Sequence, residues 1–142
     1  MAKIYLASSW RNTEQPKVLR MLCEAGHDVY DFRNPAPGNI GFSWKDVALP
    51  SEFTFSQYKA AIEHPVAEHG FNLDFNALKW ADVCVLLLPC GRSAHLEAGW
   101  MIGAGKRTFI VGDIIEPELM YKMADGIFLS INPVINALIH DK

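Results

Sequence analysis

The amino-acid sequence predicts one α/β domain of 142 residues, in which helices flank a five-stranded parallel β-sheet. Two observations carry this prediction. Short apolar runs alternate along the chain with longer segments of helical periodicity, as in successive βαβ units. In addition, the run 83–88 is apolar at every position, which is expected of a central strand covered on both faces.

The helices are predicted from their periodicity and from the residues at their ends. Asn12 is predicted to cap the first helix and Gly26 to end it. A second helix precedes the third strand. Ser93 is predicted to cap the next helix, which runs to the glycines Gly103 and Gly105, and Asn132 begins the last one. The predicted strands are residues 4–7, 28–32, 83–88, 108–111 and 127–130.

The expected strand order is 2-1-3-4-5, as in flavodoxin-like and Rossmann-like folds. In such open sheets a ligand binds beyond the carboxyl ends of the strands, at the point where the strand order reverses. Here that point lies between the first and third strands. The two loops that meet there contain Ser8, Ser9, Trp10 and Arg11 after the first strand, and residues 89–95 after the third.

One long segment interrupts the alternation of strands and helices. Residues 33–55 contain several prolines, glycines and aromatic residues, and they exceed an ordinary connection within a compact domain. Loops of this kind are lids, binding loops or packed surface flaps. Closure of a lid would exclude water, and Phe42 and Trp44 could then stack on a bound base.

Composition restricts the class of partner. The net charge of -3 argues against a nucleic-acid polymer, because proteins that bind phosphate backbones usually carry a basic excess. The three cysteines form neither an even framework nor a CxxC motif, which favours a reducing compartment. No apolar run is long enough to span a bilayer. We therefore expect a cytoplasmic protein that acts on a small molecule and not at a membrane.

Glu97 is the first candidate for a catalytic group. It is predicted to lie in about the first turn of the helix after the third strand, where the helix dipole favours an anion. A carboxylate at the mouth of this crevice can attack an electrophilic carbon, as the nucleophile of a retaining glycosidase does. Alternatively, an acidic residue in a first turn stabilises only its own helix.

Four segments, in this order and spacing, resemble the nucleoside 2-deoxyribosyltransferase family and its relatives that hydrolyse deoxynucleoside 5′-monophosphates. The segments are YLASSWRN, LDFNALKWADVCVLL, GRSAHLEAGWMIGAGKR and ELM. The resemblance covers most of the chain except residues 33–55. It implies a flavodoxin-like domain that breaks an N-glycosidic bond without a cofactor or a metal.

The resemblance implies roles for particular residues. Glu97 corresponds to the nucleophile that attacks C1′ of the sugar, and Tyr5 to the tyrosine that orients it; a core aromatic is the alternative for Tyr5. Asp74 corresponds to the aspartate that handles the proton of the base, although it could be a solvated helix residue. Glu118 corresponds to a residue that a neighbouring subunit supplies, which implies a homo-oligomer. The other predicted substrate contacts are Ser8, Ser9, Trp10, Arg11, Gly91, Arg92, Ser93 and Met120.

One departure from the family leaves the substrate open. Gly91 stands where the transferases carry an aspartate that holds the sugar hydroxyls. Loss of that anion, together with Arg11 and Arg92, would favour a 5′-phosphate. Glu118 would repel it. The base, the sugar, and the choice between transfer and hydrolysis also stay open.

Three weaker patterns favour ordinary structural roles. The GAGKR segment lacks the spacing of a P-loop and closes a helix. Cys90 and His95 suggest a thiol nucleophile but no third group orients them. His64 and His69 lack the spacing of a metal site.

Two other classes of function fit the sequence less well. One is a TIR-like NAD glycohydrolase, which also uses a glutamate on a small α/β sheet. The other is a nucleotide-binding sensor without catalytic activity.

Overall fold

The structure is a computed structural model that describes residues 1–139. These residues form two compact units. The first unit consists of residues 1–31 and 80–139 and contains the whole β-sheet, and the second consists of residues 32–79. No helix within residues 1–139 is long and apolar enough to cross a membrane.

The sheet has five strands, all parallel, in the order 2-1-3-4-5, which confirms the predicted flavodoxin-like topology. Each strand lies within two residues of its predicted bounds. All five residues of the third strand are buried, as predicted for a strand covered on both faces. The strands are β1 (Lys3–Ala7), β2 (Asp28–Asp31), β3 (Val83–Leu87), β4 (Arg107–Val111) and β5 (Gly126–Phe128).

Two helices cover one face of this sheet. They are α1 (Gln15–Glu24) and α5 (Asn132–Ile139), and α5 begins at the predicted Asn132. Leu22 of α1 and Val134 of α5 are fully buried in one cluster with Ile4 of β1. Burial of these apolar side chains is the main force that holds the two helices on the sheet.

The opposite face of the sheet carries α4 (Arg92–Gly103). Successive side chains of a strand alternate between faces, so Tyr5 points away from the cluster that contains Ile4. Cys84 of β3 is in register with Tyr5 and shares its face. Ala94 and Ala98 of α4 are buried, and their small side chains allow the helix to pack closely on these strands.

The predicted cap of α1 is wrong. Glu14 occupies the N-cap position and makes no side-chain capping bond. The Asn12 side chain instead accepts a hydrogen bond from the Glu14 backbone N–H at 2.8 Å and donates to the carbonyl oxygen of Pro89 at 3.1 Å. Gly26 follows the helix with φ +94°, as predicted for a glycine after a helix C-terminus.

The predicted cap of α4 is also wrong. The N-cap is Gly91, which has extended backbone angles, so Ser93 lies inside the first turn. The first turn contains no acidic residue, and Glu97 therefore lies in the second turn rather than the first. Because the dipole effect falls off within one turn, it contributes less to Glu97 than we expected. α4 ends at the predicted Gly103.

The second unit contains two helices, α2 (Phe55–Ile62) and most of α3 (Pro65–Trp80), and a 3₁₀ helix at Trp44–Val47. We did not predict α2. Thr54 and Gln57 form a capping box at its start, in which each side chain accepts a hydrogen bond from the backbone of the other residue. The predicted loop 33–55 therefore contains one 3₁₀ helix and ends where α2 begins.

An aromatic cluster fills part of this second unit. Phe42 and Trp44 meet edge to face with ring centroids 5.1 Å apart, and Trp44 contacts Tyr58 at 6.0 Å. A Cβ atom added at Gly70 of α3 would lie 3.0 Å from the Cβ of Phe42. Glycine at position 70 thus allows the loop to approach α3 closely.

His27 couples the stability of the first unit to pH. Its side chain is 8% exposed, and its Nδ1 accepts a hydrogen bond from the Ala2 backbone N–H at 3.0 Å. The proton of the neutral ring therefore sits on Nε2, which is buried and has no hydrogen-bond partner. Burial lowers the pKa of His27 below its ordinary value of 6.5.

We expect the free energy of unfolding to fall as the pH drops below 6.5, because the unfolded chain then binds a proton that folded His27 resists. Above pH 6.5 the contribution of the neutral His27 ring to the free energy of unfolding is fully present. Denaturant unfolding of the wild type and of His27→Asn at pH 7.5 and 5.5 checks it, since Asn can accept the Ala2 bond without titrating. Equal losses of stability in the two proteins would contradict it.

Candidate active site

The loops after β1 and β3 lie side by side, as the predicted crevice requires. Ser8 Oγ donates a hydrogen bond to the carbonyl oxygen of Leu87 at 2.9 Å. Asn12 is buried and links to Pro89 at 3.1 Å, as described above. The loop after β1 thus uses two polar side chains to satisfy backbone carbonyls at the end of β3, which fixes the edge where the strand order reverses.

Glu97 and Tyr5 meet at this edge. The hydroxyl of Tyr5 donates a hydrogen bond to Oε2 of Glu97 at 2.5 Å. Tyr5 is fully buried in β1, whereas Glu97 is half-buried on α4. A rigid strand therefore holds the donor, and the carboxylate keeps partial access to solvent. Hydrogen bonds to ionised groups are stronger than neutral ones, so this contact restricts the orientation of the carboxylate.

A second tyrosine supports the first. Tyr30 of β2 is in register with Tyr5 of β1, and the two rings stack with centroids 5.3 Å apart and an interplanar angle of 23°. Aromatic pairs of this kind contribute about 0.5–1.5 kcal/mol beyond area burial. The sequence signal was present, since each tyrosine is central in its strand, but we did not single out Tyr30.

Two cysteine thiols near Glu97 stay protonated. Burial raises the pKa of Cys90 to about 11, with a further contribution from the negative charge of Glu97. Burial and the same charge also raise the pKa of Cys84. Only a thiolate is a strong nucleophile, so this environment disfavours a thiol mechanism at neutral pH. Cys90 Sγ lies 3.7 Å from His95 Nδ1, but the raised pKa of the thiol argues against this pair as a nucleophile, in agreement with the structural role that the sequence favoured.

Gly91, Arg92 and Ser93 surround the start of α4 and are all exposed. No side chain caps the helix, so the N–H groups of its first turn are available to an acceptor. In the loop after β1, Arg11 is exposed and Trp10 is 51% exposed.

That β1 loop has its own internal hydrogen bonds. The Arg11 backbone N–H donates to Ser9 Oγ at 3.1 Å, and the Asn12 N–H donates to the Ser9 carbonyl at 3.0 Å. Ser9 thus shapes the turn that presents Trp10 and Arg11.

Glu118 precedes a 3₁₀ helix at Leu119–Met123. Its Oε2 accepts a hydrogen bond from the Met120 backbone N–H at 2.7 Å, which makes Glu118 the N-cap of that helix. Met120 itself is exposed. The carboxylate therefore has a local structural role that the sequence did not indicate.

Asp74, Phe42 and Trp44 belong to the second unit. Asp74 is half-buried on α3. Trp44 is 43% exposed although it packs in the aromatic cluster. Within residues 1–139 no group of three His, Cys, Asp or Glu side chains is arranged to hold a metal ion.

Solved structures of other proteins are similar to this chain. A 2-deoxyribosyltransferase from the psychrotolerant bacterium Bacillus psychrosaccharolyticus is 26% identical, with a TM-score of 0.59 over 95% of this chain and 91% of that chain. A conserved protein from Enterococcus faecalis V583 is 13% identical, with a TM-score of 0.63 over 100% of this chain and 99% of that chain, and shows the fold alone. A CMP N-glycosidase from Clostridium botulinum is 14% identical, with a TM-score of 0.49 over 96% and 97% of the two chains. No family model and no curated protein matches the chain by sequence.

Proposed function

We infer that the chain is a member of the nucleoside 2-deoxyribosyltransferase family, since it shares the fold of one such enzyme and is 26% identical to it, and we propose that it breaks an N-glycosidic bond through Glu97. The substrate class is a 2′-deoxynucleoside or its 5′-monophosphate. The sugar passes to a second base or to water. The observation that supports this proposal best is the hydrogen bond from Tyr5 to the half-buried Glu97 carboxylate at the carboxyl end of β1.

The first step is a displacement at the sugar. Because Tyr5 binds Oε2 of Glu97, Oε1 is the oxygen that attacks C1′. The C1′–N bond breaks, its electron pair passes to the base, and a glycosyl ester forms on Glu97. Positive charge that develops on the sugar ring before the bond forms is stabilised by the adjacent carboxylate.

The second step reverses the first with a different acceptor. A free base or a water molecule attacks C1′ of the ester and loses a proton. The ester C1′–O bond breaks as the new bond forms, its electron pair returns to Glu97, and Glu97 becomes a carboxylate again. Tyr5 holds the same oxygen in both steps, so the carboxylate needs no reorientation between them.

Asp74 is proposed to protonate the departing base and to deprotonate the arriving nucleophile. Phe42 and Trp44 are proposed to cover the base. These two roles rest on the sequence resemblance. Partial exposure of the Trp44 side chain supports the role in covering the base, because a ring that stacks on a ligand must be accessible.

Glu118 is proposed to complete the site of a neighbouring subunit in a homo-oligomer. The exposed side chains of Leu119 and Met120 beside it support a contact with another copy. Sedimentation equilibrium tests this point, because a fully active monomer would contradict it.

The proposed function is tested by incubation of the wild type with deoxyinosine, its 5′-monophosphate or NAD, each with and without free adenine. Chromatography should show release of hypoxanthine from a deoxy substrate, and formation of a deoxyadenosine product if transfer occurs. Asp74→Asn should perform the same reaction more slowly, by about 10²-fold or more for a general acid–base residue. Release of nicotinamide from NAD alone would favour a TIR-like enzyme, and binding without any product would favour a sensor.

A further inference from the structure

His95 occupies a position that none of the proposed steps uses. It lies on α4, two residues before Glu97, and its imidazole contacts two different segments of the first unit. Nδ1 lies 2.8 Å from the carbonyl oxygen of Gly91, and Nε2 lies 2.8 Å from the hydroxyl oxygen of Tyr121. The rings of His95 and Tyr121 also stack, with centroids 5.7 Å apart and an interplanar angle of 16°.

The partners of the imidazole determine its tautomer. A carbonyl oxygen only accepts hydrogen bonds, so Nδ1 carries a proton. In the neutral ring Nε2 is then an acceptor, and the Tyr121 hydroxyl donates to it. Burial, together with the nearby Cys90, Glu118 and Glu116, raises the pKa of Tyr121, so the hydroxyl keeps its proton.

Tyr121 is a natural anchor for the segment that follows β4. Within residues 113–123, the side chain of Tyr121 is the one that is not exposed. The segment is tied at its far end, where the Thr108 backbone N–H donates to Oδ2 of Asp125 at 2.8 Å. Between these points the 3₁₀ helix is held by local backbone hydrogen bonds, such as the one from the Ala124 N–H to the Tyr121 carbonyl oxygen at 3.0 Å. Local stability of such a segment depends on its few long-range contacts.

We propose that His95 is a positioning residue, which holds the Leu119–Met123 3₁₀ helix, and Glu118 and Met120 with it, against the start of α4. This inference rests on the proposed function, in which the start of α4 and the segment that contains Glu118 and Met120 both contribute to substrate binding. Through one rigid ring, the imidazole ties Tyr121 of the 3₁₀ helix to α4. Loss of the link should weaken substrate binding and leave the chemistry at Glu97 nearly unchanged.

Three substitutions separate the two bonds of the imidazole. The side-chain amide of Asn can replace the Nδ1–H bond to Gly91 but does not reach Tyr121. The longer Gln side chain can reach Tyr121 but does not reproduce the Nδ1 bond. Tyr121→Phe removes the hydroxyl and keeps the ring that stacks. Lys122→Gln, an exposed position on the same 3₁₀ helix, serves as the matched control.

We expect His95→Asn and Tyr121→Phe to raise KM for the deoxy substrate by about 3- to 10-fold with little change in kcat, as loss of one hydrogen bond implies. His95→Gln and Lys122→Gln should stay within about twofold of the wild type on the same reasoning. The double variant of His95→Asn with Tyr121→Phe should be no worse than either single one, because both remove the same link. Hydrogen exchange by mass spectrometry should be faster in residues 119–123 of the two damaging variants.

The hydrogen-exchange measurement requires no activity, so it tests the link between His95 and Tyr121 even if the proposed function is wrong. Unchanged exchange in His95→Asn and Tyr121→Phe would overturn the link itself. Faster exchange with an unchanged KM would overturn the positioning role. If the wild type released no base, the dissociation constant of a deoxynucleoside from calorimetry would replace KM, with the same expectations.

Discussion

Glu97→Gln is expected to lower the rate of base release by on the order of 10³-fold or more, because an amide oxygen cannot form the glycosyl ester. The fold should persist, since glutamine has the same shape and can still accept the Tyr5 hydrogen bond. The measurement is base release by chromatography at saturating substrate. A quenched wild-type reaction should also yield a deoxyribosyl adduct on the peptide that contains Glu97.

Tyr5→Phe provides a graded comparison. This change removes the hydrogen bond to a charged carboxylate but leaves the ring that stacks on Tyr30. From the usual strength of such bonds, we expect the rate of base release to fall by about 10- to 100-fold. Glu24→Gln makes the same change as Glu97→Gln at the exposed end of α1, so it is the matched control for Glu97→Gln and should keep wild-type activity. Undiminished turnover by Glu97→Gln would refute the nucleophile assignment.

Gly112→Ala is expected to destabilise the protein by about 2–5 kcal/mol, from backbone strain and overpacking together. Gly112 follows β4 with φ +128°, a conformation that alanine rarely adopts. A Cβ atom there would lie 2.9 Å from both Cβ and the carbonyl oxygen of Leu88. Because the obstacle includes backbone, it cannot be relieved by a rotamer change. Leu88 leads directly into the loop that contains Gly91, so the site would be disturbed as well.

Gly99→Ala is the control for this substitution. Gly99 lies inside α4, and a Cβ atom there would meet no atom within 4 Å. Alanine in a helix interior is favoured over glycine by about 0.5–1 kcal/mol, so this variant should be as stable as the wild type or more so. Urea unfolding of both variants tests the pair. Equal stability of the two would contradict the steric argument.

The sheet could be predicted because its signals are local and strong. Strand β3 is apolar throughout, and turn residues bound each strand. Helix starts were harder to predict, since Gly91 and Ser93 are both acceptable near a helix N-terminus and only the backbone angles decide between them. Asn12 was assigned as a cap because asparagine is common there, yet its amide is used to join two loops. Helix α2 was missed although Thr54 and Gln57 show the spacing of a capping box.

The hydrogen bond between Tyr5 and Glu97 agrees with the arrangement that the resemblance implies, although their catalytic roles remain predictions. The link between His95 and Tyr121 could not be predicted. It depends on where the 3₁₀ helix folds back, and its sequence, ELMYKM, shows no periodicity that fixes this position. Contacts between residues distant in sequence, made by single polar atoms, leave no pattern in a single sequence.

The close approach of Phe42 to Gly70 has a consequence for directed evolution. If Phe42 and Trp44 cover the base as proposed, a library meant to change base preference would diversify the loop that carries them and the surface of α3 that this loop contacts. Position 70 should be kept constant in such a library, because even a methyl group would lie only 3.0 Å from the Cβ of Phe42, whereas the partly exposed ring of Trp44 offers room for substitution.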